Sequence, residues 1–77
     1  MKFIDAYKQA TKWQRRITLI SLYHNAKLNK NKKWQMKDTA KYFQISIALV
    51  SESLTLSKRW DEVKDLPSRN QALKKLK

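Results

Sequence analysis

A small all-α domain is the fold class this sequence predicts, and three observations carry it. Glycine is absent from the 77 residues and proline occurs once, at Pro67, so the residues that punctuate strands and hairpins are almost missing. Apolar residues recur mostly three and four apart, the repeat of a helix face, rather than two apart. The length allows one core and no more, since a chain of this size buries roughly 60% of the surface it exposes when unfolded. About four to five helices in a single domain are therefore expected. N-terminal helices fill 1–28, two helices around a tight corner fill 36–57, and C-terminal helices fill 58–77.

Phe3, Ile4, Tyr7 and Ala10 fall three to four apart and mark a short first helix. Thr11 and Gln14 have the spacing of a capping box, which predicts a second helix from Lys12, with one continuous helix as the alternative. Along that helix Trp13, Ile17 and Ile20 form one apolar stripe and Leu19, Tyr23 and Ala26 a second. So wide a face either packs wholly under the later helices or shares itself with another chain. Residues 27–33, KLNKNKK, hold four lysines and two asparagines around one leucine, a composition that predicts an exposed loop. Beyond the central pair, Trp60 and Val63 continue the helical spacing until Pro67 interrupts it. Ser68 and Gln71 predict a second capping box, opening a last helix with Ala72, Leu73 and Leu76 as its apolar positions. Lys74, Lys75 and Lys77 stand near its end, where cations complement the helix dipole.

Charge narrows the function classes. Eighteen Lys and Arg against six acids give +12, a self-repelling surface that calls for a polyanion, nucleic acid being the commonest. Residues 1–35 carry nine bases and one acid, so +8 of that charge lies before the central pair. With no cysteine, neither disulfides nor thiolate metal sites can support so small a core, and a homodimer is the expected remedy. Lys2, Asp5 and Lys8 break any apolar leader, no stretch reaches the ~18 apolar residues of a membrane span, and a cytoplasmic location is expected, with no membrane partner.

Catalytic chemistry finds no constellation. His24 is the lone histidine and reads as a packing or surface residue. Asp61, Glu62 and Asp65 could hold magnesium, but pairing with Lys58, Arg59 and Lys64 accounts for them more simply. Trp13, Trp34 and Trp60 sit at apolar positions and read as core anchors before they read as stacking platforms for single-stranded bases. No enzyme activity, cofactor or metal is expected.

The stretch TAKYFQISIALVSESL, residues 39–54, meets each requirement of a helix-turn-helix. Ala40 is the small residue a crossing helix needs, Phe43, Ile45, Val50 and Leu54 lock the two helices, and Ser46 offers an N-cap where the second must start. Asp38–Ser46 and Leu49–Leu56 resemble the helix-turn-helix of ParB- and KorB-type DNA-binding proteins and of small phage and plasmid regulators, whose pattern runs TAK.FGIS...VS..L.LA. Ser68–Leu73 resembles the tail that follows it, so the likeness covers residues 34–76. It departs at Gln44, where the family usually places glycine, at a cost of about 1 kcal/mol for a Cβ in the left-handed region.

The resemblance implies that residues 47–57 form the recognition helix of a double-stranded DNA-binding protein, entering the major groove N-terminal end first. Base contacts would come from Ser46, Ile47, Ala48, Ser51, Glu52 and Thr55. Ile47 and Ala48 suit thymine methyls, the hydroxyls bond flexibly, Glu52 accepts from cytosine N4, and no arginine is present to fork onto guanine, so a rather A/T-rich site follows. Phosphate contacts would come from Lys30, Lys32, Lys33, Lys37, Lys41, Lys58 and Arg59. The implied role is regulation in a phage, a plasmid or another mobile element, in a bacterial cell or infected host. Alternatives are docking onto partition, replication-origin or packaging machinery, or a basic module that binds an acidic protein without DNA.

Overall fold

A computed structural model describes residues 2–76. The chain is all-α, with six helices among the described residues: α1 Phe3–Gln9, α2 Trp13–Lys30, α3 Met36–Phe43, α4 Ile47–Lys58, α5 Trp60–Val63 and α6 Arg69–Lys75. The number exceeds the expected four to five because the Trp60–Val63 stretch is a separate single turn. Lys77 lies outside the described residues.

α2 is the central rod, with α1, α3 and α4 packed on it and α4 making the most extensive contact. Its doubled apolar stripe explains that role, since Ile17, Leu19, Ile20 and Tyr23 are all buried. The wide face is thus covered largely from within the chain, while Ala26 turns out to be exposed. One buried cluster joins Ile20 and Tyr23 of α2 to Ala40 and Phe43 of α3 and Val50 of α4. A second joins Ile17, Leu56, Val63 and Ala72, and so ties the C-terminal turns to α2. Tyr23 is the hub of the first: it stacks on Tyr42 at 4.1 Å and meets Phe3, Trp34 and Phe43 edge-on. Such aromatic pairs add ~0.5–1.5 kcal/mol each beyond burial.

The corner at 44–46 forms as its residues imply. Gln44 takes the left-handed conformation, φ 59° and ψ 46°, and is the only non-glycine residue with positive φ among those described. Gln44 N donates to Lys41 O at 3.3 Å and Ile45 N to Ala40 O at 3.0 Å, the bonds of a left-handed helix stop. Ser46 then accepts Leu49 N through its hydroxyl oxygen at 3.1 Å and starts α4. The Cβ cost at Gln44 is carried by the packing of Ala40, Phe43 and Val50 on either side of it.

Two local expectations give way to tertiary contacts. The Thr11–Gln14 box is not made: Lys12 is the N-cap of α2 and carries no side-chain cap bond. The Gln14 amide donates instead to Lys64 O and Leu66 O, both at 3.2 Å, satisfying carbonyls just past α5. Residues 27–33 are not all loop, because α2 runs on through Lys30 and only 31–35 connect it to α3. Lys27 lies 5.6 Å from both the Tyr23 and Trp34 rings, and Leu28 is half-buried, so the helix is held by contacts that composition does not reveal. The Ser68 cap is present, its oxygen accepting Gln71 N at 3.2 Å. The three tryptophans are partly buried: Trp13 donates to Leu66 O at 3.0 Å and meets Trp60 edge-on, while Trp34 donates to Thr39.

Candidate nucleic-acid interface

α4 is divided lengthwise. Val50, Ser53 and Leu56 are fully buried and Leu49, Leu54 and Ser57 half-buried, all within the arc that faces the rest of the molecule. Ser53 satisfies itself by donating to Leu49 O at 2.7 Å, and the Ser21 and Ser57 hydroxyls meet across the α2–α4 contact. The opposite arc is open. Ile47, Ala48, Ser51, Thr55 and Lys58 are exposed, with Ile47, Ser51 and Thr55 four apart along one line. Ile47 is 54% exposed, a large apolar side chain offered to solvent at the start of the helix.

Of the six residues expected to read bases, five lie on or beside this open arc, though two of the hydroxyls have work inside the chain. Ser46 caps α4, and Thr55 donates to Ser51 O at 3.1 Å, which leaves its oxygen as an acceptor only. Glu52 sits at the edge, half-buried, with Arg69 Nη1 3.7 Å from its carboxylate. It is therefore turned toward α6 rather than held out beside Ser51.

Among the expected phosphate contacts, Lys37 and Lys41 are exposed one turn apart on α3. Lys30 is exposed at the end of α2, and Lys32 and Lys33 in the connection that follows. Lys58 lines a groove with Ser51 and Thr55, closed on its far side by Asn25 and Leu28 of α2 and by Met36. Arg59 stands apart from these. Its Nε and Nη2 donate to the two oxygens of Glu62 at 2.5 and 2.7 Å, a bidentate pair that raises the guanidinium pKa and holds the Glu62 carboxyl below its ordinary range. Reaching a phosphate would require Arg59 to leave that partner. Lys64 pairs with Asp61 at 3.6 Å.

Sequence reasoning overlooked Arg16 and Arg69. Arg16 Nε donates to Ala10 O at 2.9 Å with its guanidinium 5.7 Å from the Tyr7 ring, and it lines the same cleft beside Leu49 as Arg69 does. No local spacing links two residues on α2 and α6, so only the fold brings them to one flank of α4.

Behind the surface, His24 fixes α2 against α3. Its Nδ1 lies 2.7 Å from Thr39 Oγ1, and Trp34 Nε1 donates to that same oxygen at 2.8 Å, so one hydroxyl joins both rings to the start of α3. Among the described residues no buried side-chain polar atom lacks a partner. Burial lowers the His24 pKa from its ordinary 6.5, so the unfolded chain takes up a proton first. The stability contributed by neutral His24 is complete above the unfolded pKa and is lost as pH falls below it toward the lowered folded value. Melting temperature is expected to fall with acidification from about 6.5 downward, and the slope over that window should flatten in His24→Gln. An unchanged slope in the variant would assign the acid sensitivity to other groups.

Among the described residues no three His, Asp or Glu side chains converge as metal ligands, and no helix is long and apolar enough to cross a membrane. Comparison of the chain with protein-family models, with curated proteins and with solved structures returned no match.

Proposed function

We propose that this chain binds double-stranded DNA through α3 and α4, as a homodimer on paired half-sites, with the open arc of α4 in the major groove. What carries the reading is the division of α4. A rod buried along one side against α2 and held at its start by the Gln44–Ser46 corner offers its other side, uncharged in its first two turns, to a groove. Its flanks carry the lysines: Lys37 and Lys41 on α3, Lys30, Lys32 and Lys33 just before it, and Lys58 at the far end. Phosphate attraction supplies most of the affinity, and the arc supplies modest direct readout dominated by Ile47, Ala48 and Ser51. Regulation in a mobile element is the role that the resemblance of residues 34–76 supports.

Selection from random duplex DNA tests this. The expected consensus is rich in A/T, and six phosphate contacts per protomer give a plot of log K against log salt with slope about −5 for each protomer bound, about −11 for the dimer. Replacing Ser51 and Glu52 by alanine should relax the consensus while leaving most of the nonspecific affinity. A G-rich consensus would overturn the contact assignment, and absence of duplex binding at moderate salt would overturn the reading itself.

A further inference from the structure

A cleft of about 250 Å³ opens between α1, the first half of α2, the start of α4 and the start of α6. Its floor is apolar: Ile17 and Ile20 lie buried beneath it, and the side chains that open onto it are the half-buried Leu49, Tyr7 and Trp13. It lies where the two buried clusters adjoin, since Ile20 belongs to one, Ile17 to the other, and Leu49 packs against both. Neither cluster fills it. Arg16 and Arg69 also line it, and they are its charged groups.

Each arginine is poised for an acceptor. Arg16 is steadied from behind, its Nε on Ala10 O and its guanidinium over Tyr7, so its position is set before any ligand arrives. Arg69 already attracts a carboxylate of the chain itself, that of Glu52, but loosely, at 3.7 Å and therefore longer than a hydrogen bond. An apolar floor with guanidinium groups beside it fits one class of molecule: a single ring or branched chain bearing one carboxylate. The volume admits one ring and little more, below the usual range of drug-sized pockets. A DNA phosphate would reach the arginines only and leave the apolar floor unused, and a neutral hydrocarbon would leave the arginines unused. The overall charge of +12 draws anions toward the mouth in any case.

We propose that this cleft is a binding site for a small aromatic or branched aliphatic monocarboxylate, with its apolar part against Leu49, Tyr7 and Trp13 and its carboxylate at Arg16 and Arg69. Binding there needs no nucleic acid, so it stands or falls apart from the reading of α4.

Benzoate is the probe, titrated into the full chain without DNA and followed by the Trp13 indole and the Leu49 and Arg69 amide resonances. The expected result is saturable shifts at these three, with benzyl alcohol, of the same ring but uncharged, binding at least about tenfold more weakly, as loss of a charge-assisted hydrogen bond implies. Arg69→Gln, on the surface and folding-neutral by its melting curve, should weaken benzoate by a similar factor. The proposal is overturned if benzoate does not saturate, if benzyl alcohol binds equally well, or if Arg69→Gln leaves the affinity unchanged. It is equally overturned if acetate, which has the charge without the ring, produces the same shifts at the same concentration.

Discussion

Phe43→Ala is expected to lower the stability of this domain by about 3–5 kcal/mol. The ring is 3% exposed and stands at the junction of three helices, 5.0 Å from Tyr7 of α1, 5.2 Å from Tyr23 of α2 and 5.0 Å from its neighbour Tyr42. Its removal costs the transfer free energy of the ring and opens a cavity, and the surrounding rings are too rigid to collapse into the space. Domains of this size hold a total of only roughly 4–12 kcal/mol, so the variant stands close to the point at which the folded state ceases to dominate. A circular-dichroism melt should show the midpoint reduced by at least ~12 °C, given ~4–8 °C per kcal/mol at this chain length. Lys41→Ala, on the exposed side of the same helix, should remain within about 0.5 kcal/mol of the parent. A Phe43→Ala melt within a few degrees of the parent would mean that α1, α2 and α3 do not meet at this ring.

Ser51→Glu is expected to reduce duplex affinity by more than ~100-fold at moderate salt while leaving the melting temperature unchanged. Ser51 is exposed, central on the open arc between Ile47 and Thr55, and its side chain makes no bond that holds the fold among the described residues. A glutamate there is tolerated by the helix but confronts a polyanion at the closest point of approach, and like-charge contact at an interface costs several kcal/mol. The control is the same charge change placed at exposed Gln9 on α1. That variant shares the altered net charge and should lose less than tenfold, the share owed to long-range attraction. Equal losses in the two variants would remove α4 from the interface and leave only diffuse electrostatic binding.

Much of this molecule could be read before its coordinates. The corner was legible because two of its signals are local, an oxygen at Ser46 for the next helix and a small residue at Ala40 where two rods approach, while Gln44, where the pattern has glycine, spoke against it and takes the left-handed conformation all the same. The open arc of α4 came from the resemblance, and Ile47, Ala48, Ser51 and Thr55 are exposed as it implies, while Glu52 turns toward α6. Most of the failures involve a partner distant in the chain. Gln14 had a nearby amide to cap but found better-placed carbonyls at Lys64 and Leu66. Lys27 looked like loop until the Tyr23 and Trp34 rings accepted it. Glu52 looked free and has a counter-ion on α6 in Arg69, whereas the Arg59–Glu62 pair was legible beforehand because it closes within one turn.

By itself the sequence determined the helical class, the Ser46 cap that starts α4 and the Arg59–Glu62 pair, because each of these follows from interactions within four residues of chain. Tertiary structure alone decided how far α2 extends, which polar side chains are already satisfied, and that Arg16 and Arg69 flank one apolar cleft. The physical reason is that a side chain chooses among all acceptors and surfaces within reach in three dimensions, and a linear pattern records only those a turn away.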